Sequence, residues 1–196
     1  MPRSERRGQA RPELKARPAV EAYCPRAGDR ALNHRDVVPR LIPTVVPTPL
    51  HEALASHSGD LPPLVGPITD ISTALTVSSD PTLHRAAAEL IPLALTWPRR
   101  PLHGDAHIKD VLMTATGPLW TDFEDVSVGP VEWDLASLTL TDDALNTYSG
   151  PVDSARLADC RDLRRLQVLA SLVVGDYDEP ALYKTLVTHL SHRHPV

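Results

Sequence analysis

PLHGDAHIKDVLMTATGPLWTDFEDVSVGPVEWDLASL, residues Pro101 to Leu138, is the stretch on which the reading of this chain turns. It holds His103, Asp105, His107, Asp110, Asp122, Glu124 and Asp125, with apolar pieces between them. The order is a turn (HGD), a short loop, an apolar strand from Val111 to Met113, and a turn at Ala115-Thr116-Gly117-Pro118. A second apolar strand from Leu119 to Thr121 and an acidic end complete it. Two short apolar runs around such a turn predict a β-hairpin, which brings the outer strand ends together. Asp105 and Asp110 precede the first strand and Asp122 follows the second, so folding is expected to gather three carboxylates.

Three ionised carboxylates at close quarters repel, and the arrangement asks for a compensating cation. Hard oxygen ligands favour magnesium, which keeps several waters and takes one or two protein carboxylates together with substrate phosphates. One Asp to orient an attacking hydroxyl and two further oxygen ligands for metal is the pattern of phosphoryl transfer.

HGDAHIKDVL, then TDFED and GPVEWDLA, resembles the aminoglycoside/choline phosphotransferase family, relatives of the protein kinases. The resemblance covers about forty residues, with the motifs in the family's order and spacing. It implies that Asp105 is the catalytic base and that Asp122 and Asp110 hold metal. It further implies that Asp134 braces the catalytic loop. The family has Asn where this chain has Asp110; Asp still ligates magnesium, but it adds a negative charge and loses an amide donor. The implied cofactors are Mg2+ and ATP. The implied partners are a nucleotide and a small hydroxylated acceptor, for which a cationic compound would suit the acidic remainder of the chain. The expected fold is α+β and mostly helical: the C-terminal lobe of a protein-kinase-like phosphotransferase with a small catalytic β-hairpin.

The rest of the kinase-like pattern is missing from the sequence. No G-x-G-x-x-G occurs, and none of the three lysines, Lys15, Lys109 and Lys184, sits in a strand of the V-A-I-K kind. No nucleotide-anchoring lysine is assigned, and the N-terminal lobe is expected to be truncated or degenerate. Weak turnover follows as an expectation, because a nucleotide without its clamp loses both affinity and alignment.

Composition sets the frame. A chain of 196 residues suffices for one domain, and 42% apolar content permits a real core. Only 4% of residues are aromatic, so Leu, Val and Ala must fill that core. The formal net charge of −5 is uneven: residues 1–40 carry ten Arg/Lys against five Asp/Glu, and the remainder ten against twenty. The basic head lacks aromatic interleaving and a basic helix face, so it reads as a solvated tail rather than a nucleic-acid or membrane surface. Cys24 and Cys160 are isolated, there is no apolar signal core after the N-terminal basic residues, and no apolar run could span a bilayer. A cytoplasmic protein with no nucleic-acid or membrane partner is the resulting expectation; oligomeric state is left open.

Residues 1–40 are polar, Arg-rich and aperiodic, and are expected to form a disordered head before a domain at 41–196. Val37 to Leu50 carries Pro39, Pro43, Pro47 and Pro49, which predicts an extended segment. Short helices are expected at 51–56 and 67–75, joined by a turn at 59–63. Ser79-Asp80-Pro81 predicts the start of a helix reaching about Thr96, with Leu83, Ala87, Leu90, Ile91 and Ala94 facing the hairpin. Gly129-Pro130 opens a further helix, ended by Asp142-Asp143, and the longest helical pattern runs from Asp153 to Val174. A last amphipathic helix spans 179–192.

Plainer readings stand beside these. Asp105 could simply hold turn amides, His103 and His107 could brace the loop, Asp134 could be a helix-start charge, and Glu124 and Asp125 could be solvated. His189, His192 and His194 form a histidine-rich tail suited to adventitious metal. Two other function classes compete: a catalytically inactive kinase-like binding or regulatory module, and a metal-dependent hydrolase built on His103, Asp105, His107 and Asp110. The hydrolase reading lacks downstream ligands, since no histidine follows until His189.

Overall fold

The computed structural model describes residues 47–115, 117–138, 145, 148–175 and 177–195. Its elements in chain order are helices α1 (Pro47–Ala55), α2 (Gly66–Leu75) and α3 (Pro81–Ala94), strands β1 (Arg100–Leu102), β2 (Val111–Thr114), β3 (Gly117–Trp120) and β4 (Ser127–Gly129), and helices α4 (Val131–Leu138), α5 (Ser154–Val174) and α6 (Pro180–Arg193). The expected head and the expected helix end at Asp142-Asp143 lie outside the described residues.

Helix α5 is the axis. Asp153 caps it, its side chain accepting from the backbone N–H groups of Ala155 and Arg156 at 3.0 Å each. Along 166–170 every residue is buried, as expected of a helix surrounded on all sides. Helices α2, α3, α4 and α6 pack around it. Leucines dominate the core, among them Leu83, Leu90, Leu163, Leu166 and Leu169, with Trp133 the largest fully buried side chain. Each such leucine contributes on the order of 1.5–3 kcal/mol of burial, so aliphatic residues carry the stability that few aromatics could supply.

The cap of α3 reaches beyond its own helix. Asp80 accepts from the N–H groups of Thr82 (2.8 Å) and Leu83 (3.3 Å), and its second oxygen accepts from the Tyr183 hydroxyl of α6 at 2.6 Å. That bond, with burial, pushes the Tyr183 phenol up to about 12. Burial pushes the Asp80 carboxyl up, but the bonds from Tyr183, Thr82 and Leu83 outweigh it and hold it below the usual range.

Three expectations are corrected. The segment before His51 is not extended as far as Leu50: α1 starts at Pro47. Pro47 and Pro49 fall in its first turn, where backbone N–H groups have no intrahelical acceptor and their loss is tolerated. Helix α3 ends at Ala94 rather than near Thr96, and its apolar side faces chiefly α5 and α6 instead of the hairpin. The hairpin is also not the whole sheet structure. It pairs Val111 with Trp120 and Leu112 with Leu119, and a second antiparallel ladder encloses it, pairing Arg100 with Gly129 and Leu102 with Ser127. Residues 62–64, the end of the expected turn and the residue after it, lie along β4: Val128 donates to the Pro62 carbonyl at 2.8 Å and accepts from Leu64 at 3.1 Å.

These nested ladders position the site. The outer one sets residues 103–105 beside 121–126, and the inner one returns the chain from Asp110 to Thr121.

Candidate active site

The HGD turn needs its glycine. Gly104 has φ +89°, and a side chain there would overlap the Asp125 carbonyl oxygen. Both backbone N–H groups at the turn are held by one carboxylate: His103 donates to Asp134 Oδ2 at 2.9 Å and Gly104 to Oδ1 at 3.0 Å. Asp134 is fully buried in α4. Its Oδ2 also accepts from His51 Nε2 at 3.0 Å, and His51 Nδ1 meets the Tyr148 hydroxyl at 3.1 Å. Burial and the nearby Glu132 carboxylate push the Tyr148 phenol up. The turn's carbonyl is held as well: Gly104 accepts from Trp133 Nε1 at 2.6 Å and from Arg164 at 3.0 Å.

Asp105 stands at the end of this turn. Its Oδ1 pairs with an Arg164 amino group at 2.9 Å, and its side chain is 22% exposed. Arg164 lies over the Trp133 ring, 4.0 Å from the centroid. His103 is fully buried; its Nε2 donates to the Thr121 carbonyl at 2.8 Å, and its ring contacts those of Trp120 and Phe123.

Asp110 closes a one-turn 3-10 segment, Ile108–Asp110. It is buried, and its Oδ2 accepts from the His107 backbone N–H at 3.2 Å. His107 Nδ1 lies 3.2 Å from the same oxygen, off hydrogen-bonding geometry. Burial pushes the Asp110 carboxyl up, and His107 pulls it back only in part. The Asp110 carbonyl accepts from both the N–H and the hydroxyl of Thr121, at 2.8 and 2.9 Å, which ties it to the residue before Asp122.

Asp122 is exposed and has φ 62°, ψ 52°, a left-handed conformation among non-glycine residues. A residue held there costs about 1–3 kcal/mol and persists where the surroundings impose it, often at working sites. Glu124 and Asp125 are exposed in the short 3-10 turn that follows.

The hairpin therefore brings the backbone of Asp105, Asp110 and Asp122 into one neighbourhood, but not their carboxylates into a cluster. Asp105 is engaged by Arg164 and Asp110 is turned onto His107. Among the described residues no group of three His, Cys, Asp or Glu side chains is placed to hold a metal ion. The donor chemistry nonetheless fits magnesium, which needs only one or two carboxylates beside phosphate and water. Asp122 is the exposed carboxylate here, whereas Asp110, beside it through Thr121, is buried and would have to leave His107 to take part. The histidines a hydrolase site would require are turned elsewhere, His103 onto Thr121 and His107 beside Asp110.

Sequence reasoning did not find His51, Tyr148 or Arg164. Arg164 reaches the turn directly, His51 through Asp134 and Tyr148 through His51, and none carries a local motif. Their contacts appear only once the helices are packed.

Comparisons with known proteins bear on the family and the fold. The model of the phosphotransferase enzyme family (APH) matches residues 44–169. The choline kinase LicA from Streptococcus pneumoniae has a similar fold, with TM-score 0.61 at 18% identity over 80% of this chain and 65% of that one. LicA in complex with AMP gives TM-score 0.61 at 19% identity, over 81% and 64%. A choline/ethanolamine kinase family protein from Mesorhizobium loti gives 0.59 at 16%, over 82% and 64%. This chain thus spans less than two thirds of the length of these neighbours. No curated protein matches it by sequence. With the family model covering most of the chain and the protein-kinase-like fold shared with the choline kinases, the chain belongs to the phosphotransferase enzyme family.

Proposed function

We propose that this chain transfers the γ-phosphoryl group of ATP to a hydroxyl of a small molecule, slowly when it acts alone. The observation that carries the reading is the HGD turn: both of its amides rest on the buried Asp134, so Asp105 is presented from a fixed backbone. Asp105 takes the proton of the acceptor hydroxyl as its oxygen attacks the γ-phosphorus. The bond from that phosphorus to the bridging oxygen breaks, and its electron pair leaves with the β-phosphate of ADP. Asp122 and Asp110 would hold Mg2+, which when bound neutralises charge on the phosphates. His103, His107 and Asp134 support the loop rather than react. The AMP complex of a protein with this fold supports nucleotide use.

Slowness follows from positioning. The sequence has no G-x-G-x-x-G, neither Lys109 nor Lys184 lies in a strand, and each ~1.4 kcal/mol of alignment lost is a factor of ten in rate. The acceptor is assigned only as a small hydroxylated compound. Among the described residues no helix is long and apolar enough to cross a membrane.

One observation favours a second reading, a kinase-like module that binds without turnover: Asp110, where the family resemblance expects Asn, is buried and turned onto His107 rather than outward. Isothermal titration with ATP, with and without magnesium, tests the proposal. Magnesium-dependent binding of ATP supports it; no binding under either condition overturns it.

A further inference from the structure

We infer that Arg164 is the positioning residue that aims Asp105, and that it leaves Asp105 Oδ2 as the oxygen that receives the acceptor's proton. The inference rests on the phosphotransfer reading for its kinetic meaning, but its structural content stands on contacts alone. Arg164 comes from the central helix α5, sixty residues beyond the turn, and touches it twice. One amino group meets Asp105 Oδ1 at 2.9 Å, and the other donates to the Gly104 carbonyl at 3.0 Å. The planar guanidinium spans a side-chain oxygen and the preceding backbone oxygen, so it fixes the carboxylate relative to the turn.

Arg164 is itself aimed. Its guanidinium lies 4.0 Å over the Trp133 ring, and it donates to Gln167 Oε1 at 3.3 Å. Gln167, buried one turn along α5, donates from Nε2 to Asp70 of α2 at 2.9 Å. The row Asp70, Gln167, Arg164, Asp105 carries the register of two packed helices to the reacting carboxylate.

The backbone of the turn does not depend on Arg164. The Gly104 carbonyl keeps the Trp133 bond at 2.6 Å, and the two amides keep Asp134. Removing the guanidinium therefore frees the Asp105 side chain while the turn stays folded. A ground-state misplacement of about 1 Å in a reacting group can cost on the order of 100-fold. With Oδ1 engaged, Oδ2 is the oxygen free of the guanidinium.

The test compares the native chain with Arg164→Met, which keeps an apolar stem over Trp133, and Arg164→Lys, which keeps charge without the fork. Three-bond couplings of labelled Asp105 report its χ1 directly and need no turnover. The expected result is one rotamer in the native chain, averaged couplings in Arg164→Met and partial averaging in Arg164→Lys, with His103 and Gly104 amide shifts kept in all three. In ATP-dependent transfer, kcat should fall about 10–100-fold in Arg164→Met with KM changed less than about 3-fold, and Arg164→Lys should lie between. A folded Arg164→Met with a single Asp105 rotamer and native kcat overturns the assignment. Absence of any turnover in the native chain counts against the function proposed above, and the couplings then decide the role of Arg164 by themselves.

Discussion

Asp134→Asn changes one oxygen to an amide at the centre of the catalytic turn, and its consequence can be worked out from the contacts. The carboxylate accepts three bonds: Gly104 N–H on Oδ1, and His103 N–H and His51 Nε2 on Oδ2. Asn has one acceptor oxygen. Placed to serve His103 and His51, it turns its NH2 toward the Gly104 N–H; flipped, it abandons two donors. The smaller loss is one buried unsatisfied donor, about 1–3 kcal/mol. The surviving bonds also lose their charge assistance, adding on the order of 1–2 kcal/mol. Neutralising a buried ion recovers some desolvation, but its donors stay in place and must still be satisfied. The net expectation is a loss of about 2–5 kcal/mol, or a Tm lowered by roughly 4–20 °C for a chain of this size. Chemical denaturation and hydrogen exchange at His103 and Gly104 are the assays. A variant within about 0.5 kcal/mol of the native chain, with both amides still protected, would refute the claim that Asp134 holds the turn; a change that small is typical of an unimportant surface site.

Trp133→Phe removes the indole N–H from the Gly104 carbonyl, which Arg164 still serves; a loss of about 1–3 kcal/mol in urea denaturation is expected, and no change would show that the bond is idle. The buried Asp162 joins α5 to α6 through His189 and Arg193, at 2.9 Å each. Burial pushes its carboxyl up, but the bonds and charges of Arg193 and His189 outweigh that and hold it below the ordinary value. A lowered folded pKa means that this stability is present above the unfolded value of about 3.9 and is lost as pH falls through the folded one. Asp162→Asn should therefore be less stable at pH 7 and lose less on acidification; an unchanged acid limb would count against the linkage. Magnesium should raise the Tm of the native chain, and Asp122→Asn should abolish much of that rise; an identical metal response in the variant would remove Asp122 from the ligand set.

How much of this was legible depended on range. The inner hairpin announces itself through two short apolar runs, although Gly117 and Pro118 of the expected turn belong to β3, and the helix start at Asp80 shows in capping chemistry read within three residues. The outer ladder does not: β1 and β4 are three residues each, too short for alternation, and β1 carries Pro101. Pro47 and Pro49 signal a break only if the helix is taken to begin after them; the same residues fit its first turn. In the candidate site, Asp105, Asp110, Asp122 and Asp134 lie inside one motif-bearing run. His51, Tyr148 and Arg164 join it only because α1, the segment before α5, and α5 itself pack against that run. The packing of α3 was misjudged for a related reason: an apolar stripe shows that a face is buried without naming what covers it.

Transfer of the ATP γ-phosphoryl to a panel of small hydroxylated compounds, measured at high enzyme concentration for the native chain and Asp105→Asn, addresses the central claim most directly. Slow, magnesium-dependent transfer to at least one acceptor, lost on the order of 100-fold or more in Asp105→Asn, is the predicted result. A residual rate that is the same in both proteins, or no transfer by either, would contradict it.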